Sequence, residues 1–167
     1  MRFKKPTDSI LIGVLFLLLI PSIATAAGES TVKNLAIKGY DTVAYFKAGK
    51  ALKGNKSFIF QWHDMTWHFT TKENRDLFAA SPEKYAPQYD GYCAWAMTEA
   101  RKAQTDPEVW KIVNGKLYLN CSKTAHEKWS RDITGNIKKA DENWVKLSGK
   151  ILINSLKGEK HGGKMVL

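Results

Sequence analysis

Cysteine is scarce in this chain of 167 residues, which holds only Cys93 and Cys121. There is no Cys-x-x-Cys and no His-x-x-x-His, so the closely spaced ligand pairs of a structural zinc site are missing. Acidic side chains are also few, 16 against 26 lysines and arginines, leaving a formal net charge of +10. The lysines are spread along the chain rather than gathered into one arm. That distribution suits adsorption to anionic surfaces, yet no base-reading motif accompanies it, and a solvated cationic face is the plainer account. Paired-carboxylate, Gly-rich phosphate-binding and Ser-x-x-Lys signatures are absent too, so no catalytic residue is assigned. No segment reads as an internal repeat.

Long apolar runs are limited to one, residues 10–20, interrupted only by Gly13. Arg2, Lys4 and Lys5 precede it, and Pro21 and Ala24-Thr25-Ala26 follow. A cationic start, a short apolar stretch and an Ala-x-Ala site make a secretory signal peptide over 1–26, cleaved after Ala26. The run falls short of the roughly 20 residues of a membrane span. The expected product is an exported protein, periplasmic or secreted, with no membrane span and no nucleic-acid partner. In such a compartment Cys93 and Cys121 can bridge, which would stabilise by about 3–4 kcal/mol in the chain-entropy model.

What the chain does contain is aromatic and β-branched sequence broken by turn signals. Residues 57–62 and 66–70 flank His63-Asp64-Met65 and predict a β-hairpin. Residues 109–113 and 116–120 flank Asn114-Gly115, the strongest short hairpin signal. Thr70 with Glu73 forms a capping-box pattern opening a helix to about residue 80. Ser81-Pro82 starts a shorter helix that Pro87 ends. Further helices are predicted from 92 or 93 to about 103, near 123–131, and near 137–147, the last two separated by Gly135. Residues 27–34 read as a leader and 148–167 as a basic tail. The expectation is a small single α+β domain over 35–147, with two hairpins, several short helices and a core filled by large aromatics.

Several residues carry candidate chemistry. Cys93 and Met97 at i, i+4 project from one helix face, and thiolate with thioether favours Cu(I) over harder ions. Cys121, His63 and His68 are candidate further ligands, with Asp64 placed to orient an imidazole. The bland account packs Cys93 and Met97 in the core and leaves the histidines facing solvent. His126 and His161 read as surface residues, and Asp41 after Gly39 as a structural corner. A nucleophilic role for Cys93 would need a base beside it, and none is near in sequence.

These residues resemble a known family. Gly39-Tyr40-Asp41-Thr42-Val43-Ala44-Tyr45-Phe46, Glu73-Asn74-Arg75-Asp76-Leu77-Phe78, and Pro82-Glu83-Lys84-Tyr85-Ala86-Pro87-Gln88-Tyr89 occur in order. They continue through Gly91-Tyr92-Cys93-Ala94-Trp95, Asp106-Pro107-Glu108-Val109-Trp110, Gly115-Lys116-Leu117-Tyr118-Leu119-Asn120 and Ala140-Asp141-Glu142-Asn143-Trp144. The set is similar to the stand-alone, exported members of the YHS-domain family. The resemblance implies a compact, treble-clef-like α+β domain and metal binding, since YHS domains elsewhere are attached to copper-transporting ATPases. It implies no defined activity. Family members tend to carry tyrosine where this chain has Cys121. The resulting expectation is a non-enzymatic binder of copper through Cys93. The alternative is a metal-free structural or interaction module with a Cys93–Cys121 disulfide.

Overall fold

The computed structural model describes residues 34–159, with side chains through residue 149. The expected signal segment and nearly all of the leader lie outside the described residues. What is described is an α+β domain with two separate antiparallel two-stranded sheets.

The first half begins at Leu35, which forms an isolated parallel bridge to Thr66. A left-handed turn follows, with Ile37, Lys38 and Gly39 at φ of 37°, 54° and 77°. Helix α1 (Thr42–Lys47) starts at Asp41, whose carboxylate accepts from the amides of Val43 and Ala44. A side-chain acceptor at that position satisfies donors the first helical turn leaves unpaired. Strands β1 (Asn55–Trp62) and β2 (Met65–Phe69) then pair around His63 and Asp64, both at positive φ as a type I′ turn requires. Helix α2 (Lys72–Ala80) is capped by Thr71, whose hydroxyl accepts from the Asn74 amide at 3.1 Å. The cap therefore lies one residue later than the pattern at Thr70 predicts. Thr70 is committed elsewhere, to Asp41. Helix α3 (Pro82–Tyr85) follows as expected.

The second half runs through the same sequence of elements. Pro87 bridges in parallel to Leu117, and a left-handed turn holds Tyr89, Asp90 and Gly91 at φ of 59°, 52° and 78°. Helix α4 (Ala94–Thr98) starts at Cys93. Strands β3 (Asp106–Val113) and β4 (Lys116–Asn120) pair around Asn114-Gly115, and Ser122 caps helix α5 (Lys123–Ser130). Even the irregularities recur. Pairing slips between Asn55 and Ile59 in one hairpin and between Asp106 and Trp110 in the other. At each slip a side chain accepts from the amide two residues on, Asn55 from Ser57 at 2.8 Å and Asp106 from Glu108 at 3.0 Å. The domain is thus one unit used twice, which corrects the expectation of no repeat. Gly39-Tyr40 and Gly91-Tyr92 are the clearest shared residues; elsewhere the two copies reach the same geometry with different side chains.

Two helices differ from prediction. Helix α4 has five residues rather than about ten. The Cys93 amide must reach the Ala103 carbonyl at 3.0 Å, so the chain doubles back through Ala100 at φ 53°. Asn143 donates to the carbonyls of Met97 and Thr98 at the end of this short helix, both at 3.0 Å. Conversely, helix α6 (Ile133–Glu159) is one 27-residue helix that includes Gly135 and runs into the predicted tail as far as Glu159; residues 160–167 lie outside the described residues. Gly135 sits in its first turn, where its amide donates to Asp132 at 2.9 Å. A Cβ there would lie 2.2 Å from that carboxylate, so glycine admits the cap instead of breaking the helix.

Large aromatics fill the core as predicted. Val43, Trp67, Phe69 and Phe78 pack within the first copy; Met97, Tyr118, Trp129 and Ala140 pack between the second copy and α6. Tyr45, Leu117 and Leu119 join the copies, and the Tyr45 hydroxyl donates to the Pro107 carbonyl at 2.9 Å.

Asp41 is fully buried and accepts five hydrogen bonds, from the amides of Val43, Ala44 and Thr70, the Thr70 hydroxyl and the Asn74 side chain. Asp41→Ala should cost roughly 3–4 kcal/mol in urea unfolding, because it strands several buried donors at once. Leu77→Ala, at a position 38% exposed, should cost under about 1 kcal/mol.

Candidate functional site

The equivalent of the Asp41 joint in the second copy is built from different chemistry. Cys93 stands where Asp41 stands, at the start of a helix after a Gly-Tyr pair. Cys121 stands where Thr70 stands, immediately after the second strand and before a helix cap. In the first copy the Thr70 amide donates to Asp41 at 2.8 Å across 29 positions. In the second the Cys121 amide donates to the Cys93 sulfur at 3.1 Å across 28 positions. The thiol takes the place of the carboxylate as the acceptor that closes the joint.

Cys93 is fully buried, whereas Cys121 is exposed, and both are free thiols. Burial pushes the Cys93 thiol up from its ordinary range. The Ala96 amide pulls it back down, the neighbouring Cys121 thiol adds to the rise, and the Cys121 amide opposes it. The net direction is upward, so Cys93 is held as a protonated thiol at neutral pH.

Asn120 organises what surrounds this sulfur. It is fully buried; its side-chain oxygen accepts from the Trp95 amide at 3.1 Å and lies 3.9 Å from the Cys93 sulfur. Its side-chain nitrogen is 3.2 Å from Nδ1 of His126. Since the amide nitrogen donates, Nδ1 of His126 is the acceptor and the ring is neutral. Burial, with Lys111 nearby, lowers the His126 pKa and favours that form. His126 is therefore half-buried at the site's edge, not the plain surface residue its sequence suggested. It also lines a shallow cleft with Glu108, Trp110 and Lys123.

Of the five predicted ligands, the fold brings Cys93 and Cys121 together. Met97 is buried, but it packs with Tyr118 and Trp129, while Cys93 packs with Ala96 and Ala125. The i, i+4 spacing does not join them because Cys93 is the residue before the helix, not within it. His68 lies on β2, buried, with its Nδ1 facing Gly39. His63 stacks on Trp62 with ring centroids 3.8 Å apart and borders a cavity of about 460 Å³. Both histidines belong to the first copy's hairpin. Among the described residues no group of three or more His, Cys, Asp or Glu is placed to hold a metal. Among them, too, no helix is long and apolar enough to cross a membrane. Asn120 and His126 were missed by sequence reasoning. The signal was available: an asparagine closes a strand that otherwise carries buried Leu117, Tyr118 and Leu119.

No protein-family model matches the chain, nor does any curated protein or solved structure.

Two outcomes are expected. Asn120→Ala should destabilise by roughly 2–3 kcal/mol in denaturant unfolding, since it strands the Trp95 amide and opens a buried gap. His126 and His68 both have folded pKa values below the ordinary 6.5. The unfolded chain then binds more protons than the folded one, so their contribution is complete above about 6.5 and is lost as pH falls below it. His126→Gln should flatten the unfolding midpoint measured between pH 7.5 and 5.5; an unchanged slope would show that this ring does not contribute.

Proposed function

We propose that this chain is an exported, non-enzymatic YHS-type domain whose Cys93–Cys121 thiol pair captures a soft monovalent metal, Cu(I) being the best match. The observation that carries the reading is the contact between the two cysteines, the Cys121 amide donating to the Cys93 sulfur at 3.1 Å, with one thiol sealed and the other exposed. Thiolates select Cu(I) over harder ions. Among the described residues the donor set is two sulfurs with no third conventional ligand, which fits a soft ion of low coordination number better than tetrahedral zinc. Cys121 offers the point of entry. Cys93 supplies the inner sulfur, with Asn120 and the Cys121 amide fixing its position. When bound, the metal would act as cargo or as a cross-link between α4 and the end of β4.

Capture requires the Cys93 proton to leave. Because burial raises that thiol's pKa, affinity should increase with pH through the neutral range as proton release becomes easier. The resemblance to YHS domains supports the metal class, and the apolar run over 10–20 followed by Ala-x-Ala supports export.

Titrating the reduced protein with Cu(I) against a chromophoric chelator should give one bound ion per chain. Cys93→Ser and Cys121→Ser should each weaken it by more than the roughly 10–100-fold typical of lost outer-sphere partners. Met97→Leu should leave it unchanged. Equal binding by Cys93→Ser would sink the assignment. The second reading, a metal-free module stapled by a Cys93–Cys121 disulfide, is favoured by the same contact. Zero free thiols and no metal in protein isolated from its native compartment would select it.

A further inference from the structure

The two copies of the repeat allow each joint to be read against the other. In the first, Asp41 and Thr70 close the junction between helix start and hairpin end by hydrogen bonds alone. That arrangement is indifferent to redox conditions. In the second, the same two places hold Cys93 and Cys121, and two of the contacts around them recur. Thr71 and Ser122 cap the following helices. The Asp41 amide donates to the Leu52 carbonyl at 2.8 Å and the Cys93 amide to the Ala103 carbonyl at 3.0 Å. The fold therefore does not need thiols at this joint, because its own first copy is built without them.

We propose that Cys121 and Cys93 form a thiol–disulfide exchange site that accepts a solvent-borne disulfide of the general type RS–SR. It uses the same two sulfurs as the copper reading but requires no metal, so neither depends on the other. The exposure of the pair fixes the order of events. Cys121 loses its proton to solvent and attacks one sulfur of RS–SR, forming a mixed disulfide and releasing RS⁻. Cys93 is unreachable by RS–SR, but its sulfur lies 3.1 Å from the Cys121 amide, within one side-chain swing of the Cys121 sulfur. Its proton passes to the departing RS sulfur as the Cys93 sulfur attacks the Cys121 sulfur, so the second leaving group departs as RSH. Two protein thiols and one RS–SR become one internal bridge and two RSH; the protein is oxidised and the small disulfide reduced. Asn120 is a positioning residue, holding α4 to the end of β4 so that the inner sulfur stays aimed.

Metal-free, fully reduced protein is incubated with oxidised glutathione in the presence of a chelator, acid-quenched, and mapped by mass spectrometry. The wild type should pass through a glutathionyl adduct on Cys121 and finish as a Cys93–Cys121 bridge. Cys93→Ser, or Cys93→Ala if the serine variant does not fold, should stop at the Cys121 adduct. Cys121→Ser should remain unmodified at Cys93 until the protein is unfolded. A wild type that stops at the adduct overturns the proposal, as does an unreactive pair or a native Cys121→Ser protein glutathionylated at Cys93. Wild-type mapping alone decides the matter if every variant is unstable.

Discussion

One constraint organises both halves of this molecule: the chain beginning a short helix must be fastened to the chain leaving a hairpin. Neither element is long enough to be stable alone, since isolated helices of this length and isolated two-stranded hairpins are marginal in water. A buried acceptor solves this by collecting amides from both. Asp41 gathers donors from α1, from Thr70 and from Asn74 on α2, so one carboxylate fixes three elements. The aromatic packing of Trp67, Phe69 and Phe78 then has a rigid frame to fill. Remove the acceptor and the layers have no common reference point.

The second joint keeps the geometry and changes the chemistry. A thiol is a weaker acceptor than a carboxylate, and the second copy makes up the difference with a buried asparagine and a half-buried histidine. It also leans on α6, which packs against α4 and shares Trp129 and Ala140 in one apolar cluster. Among the described residues, the first copy has no comparable helix beside it. A weaker fastening and an added brace thus occur together. The exposed sulfur of Cys121 is the chemical opening that this substitution creates.

Much of the architecture was legible in the chain. Both hairpins were, because their turn residues are local signals: Asn-Gly and His-Asp each adopt the left-handed conformation at short range. The proline-started α3 and the aromatic core were legible for the same reason. What was not legible depends on contacts distant in sequence. Thr70 looks like a helix cap until Asp41, 29 positions earlier, claims it. The short α4 is set by the Cys93–Ala103 contact and by Asn143, the latter far outside any window around residues 93–103. The repeat was hidden because its equivalent pairs, such as Asp41 with Cys93 and Thr70 with Cys121, conserve position and not chemistry. For the site, the pairing of Cys93 with Cys121 could be raised from sequence but not decided. The separation of Met97 from Cys93 turns on a helix boundary that periodicity leaves uncertain by a residue or more.

Ile37 is a β-branched residue in left-handed backbone, a conformation that costs of order 1–3 kcal/mol and persists only where its surroundings enforce it. Its surroundings here are both copies at once. The side chain packs into the first copy's core and into the cluster that joins the halves, and a Cβ at Gly91 would meet its methyl at 3.1 Å. The tension at this residue is thus sustained by two partners and relieved if either departs. Melting either copy would strip Ile37 of part of the packing that holds it, so the shared contacts at this residue, rather than its strain, couple the two copies despite their separate sheets.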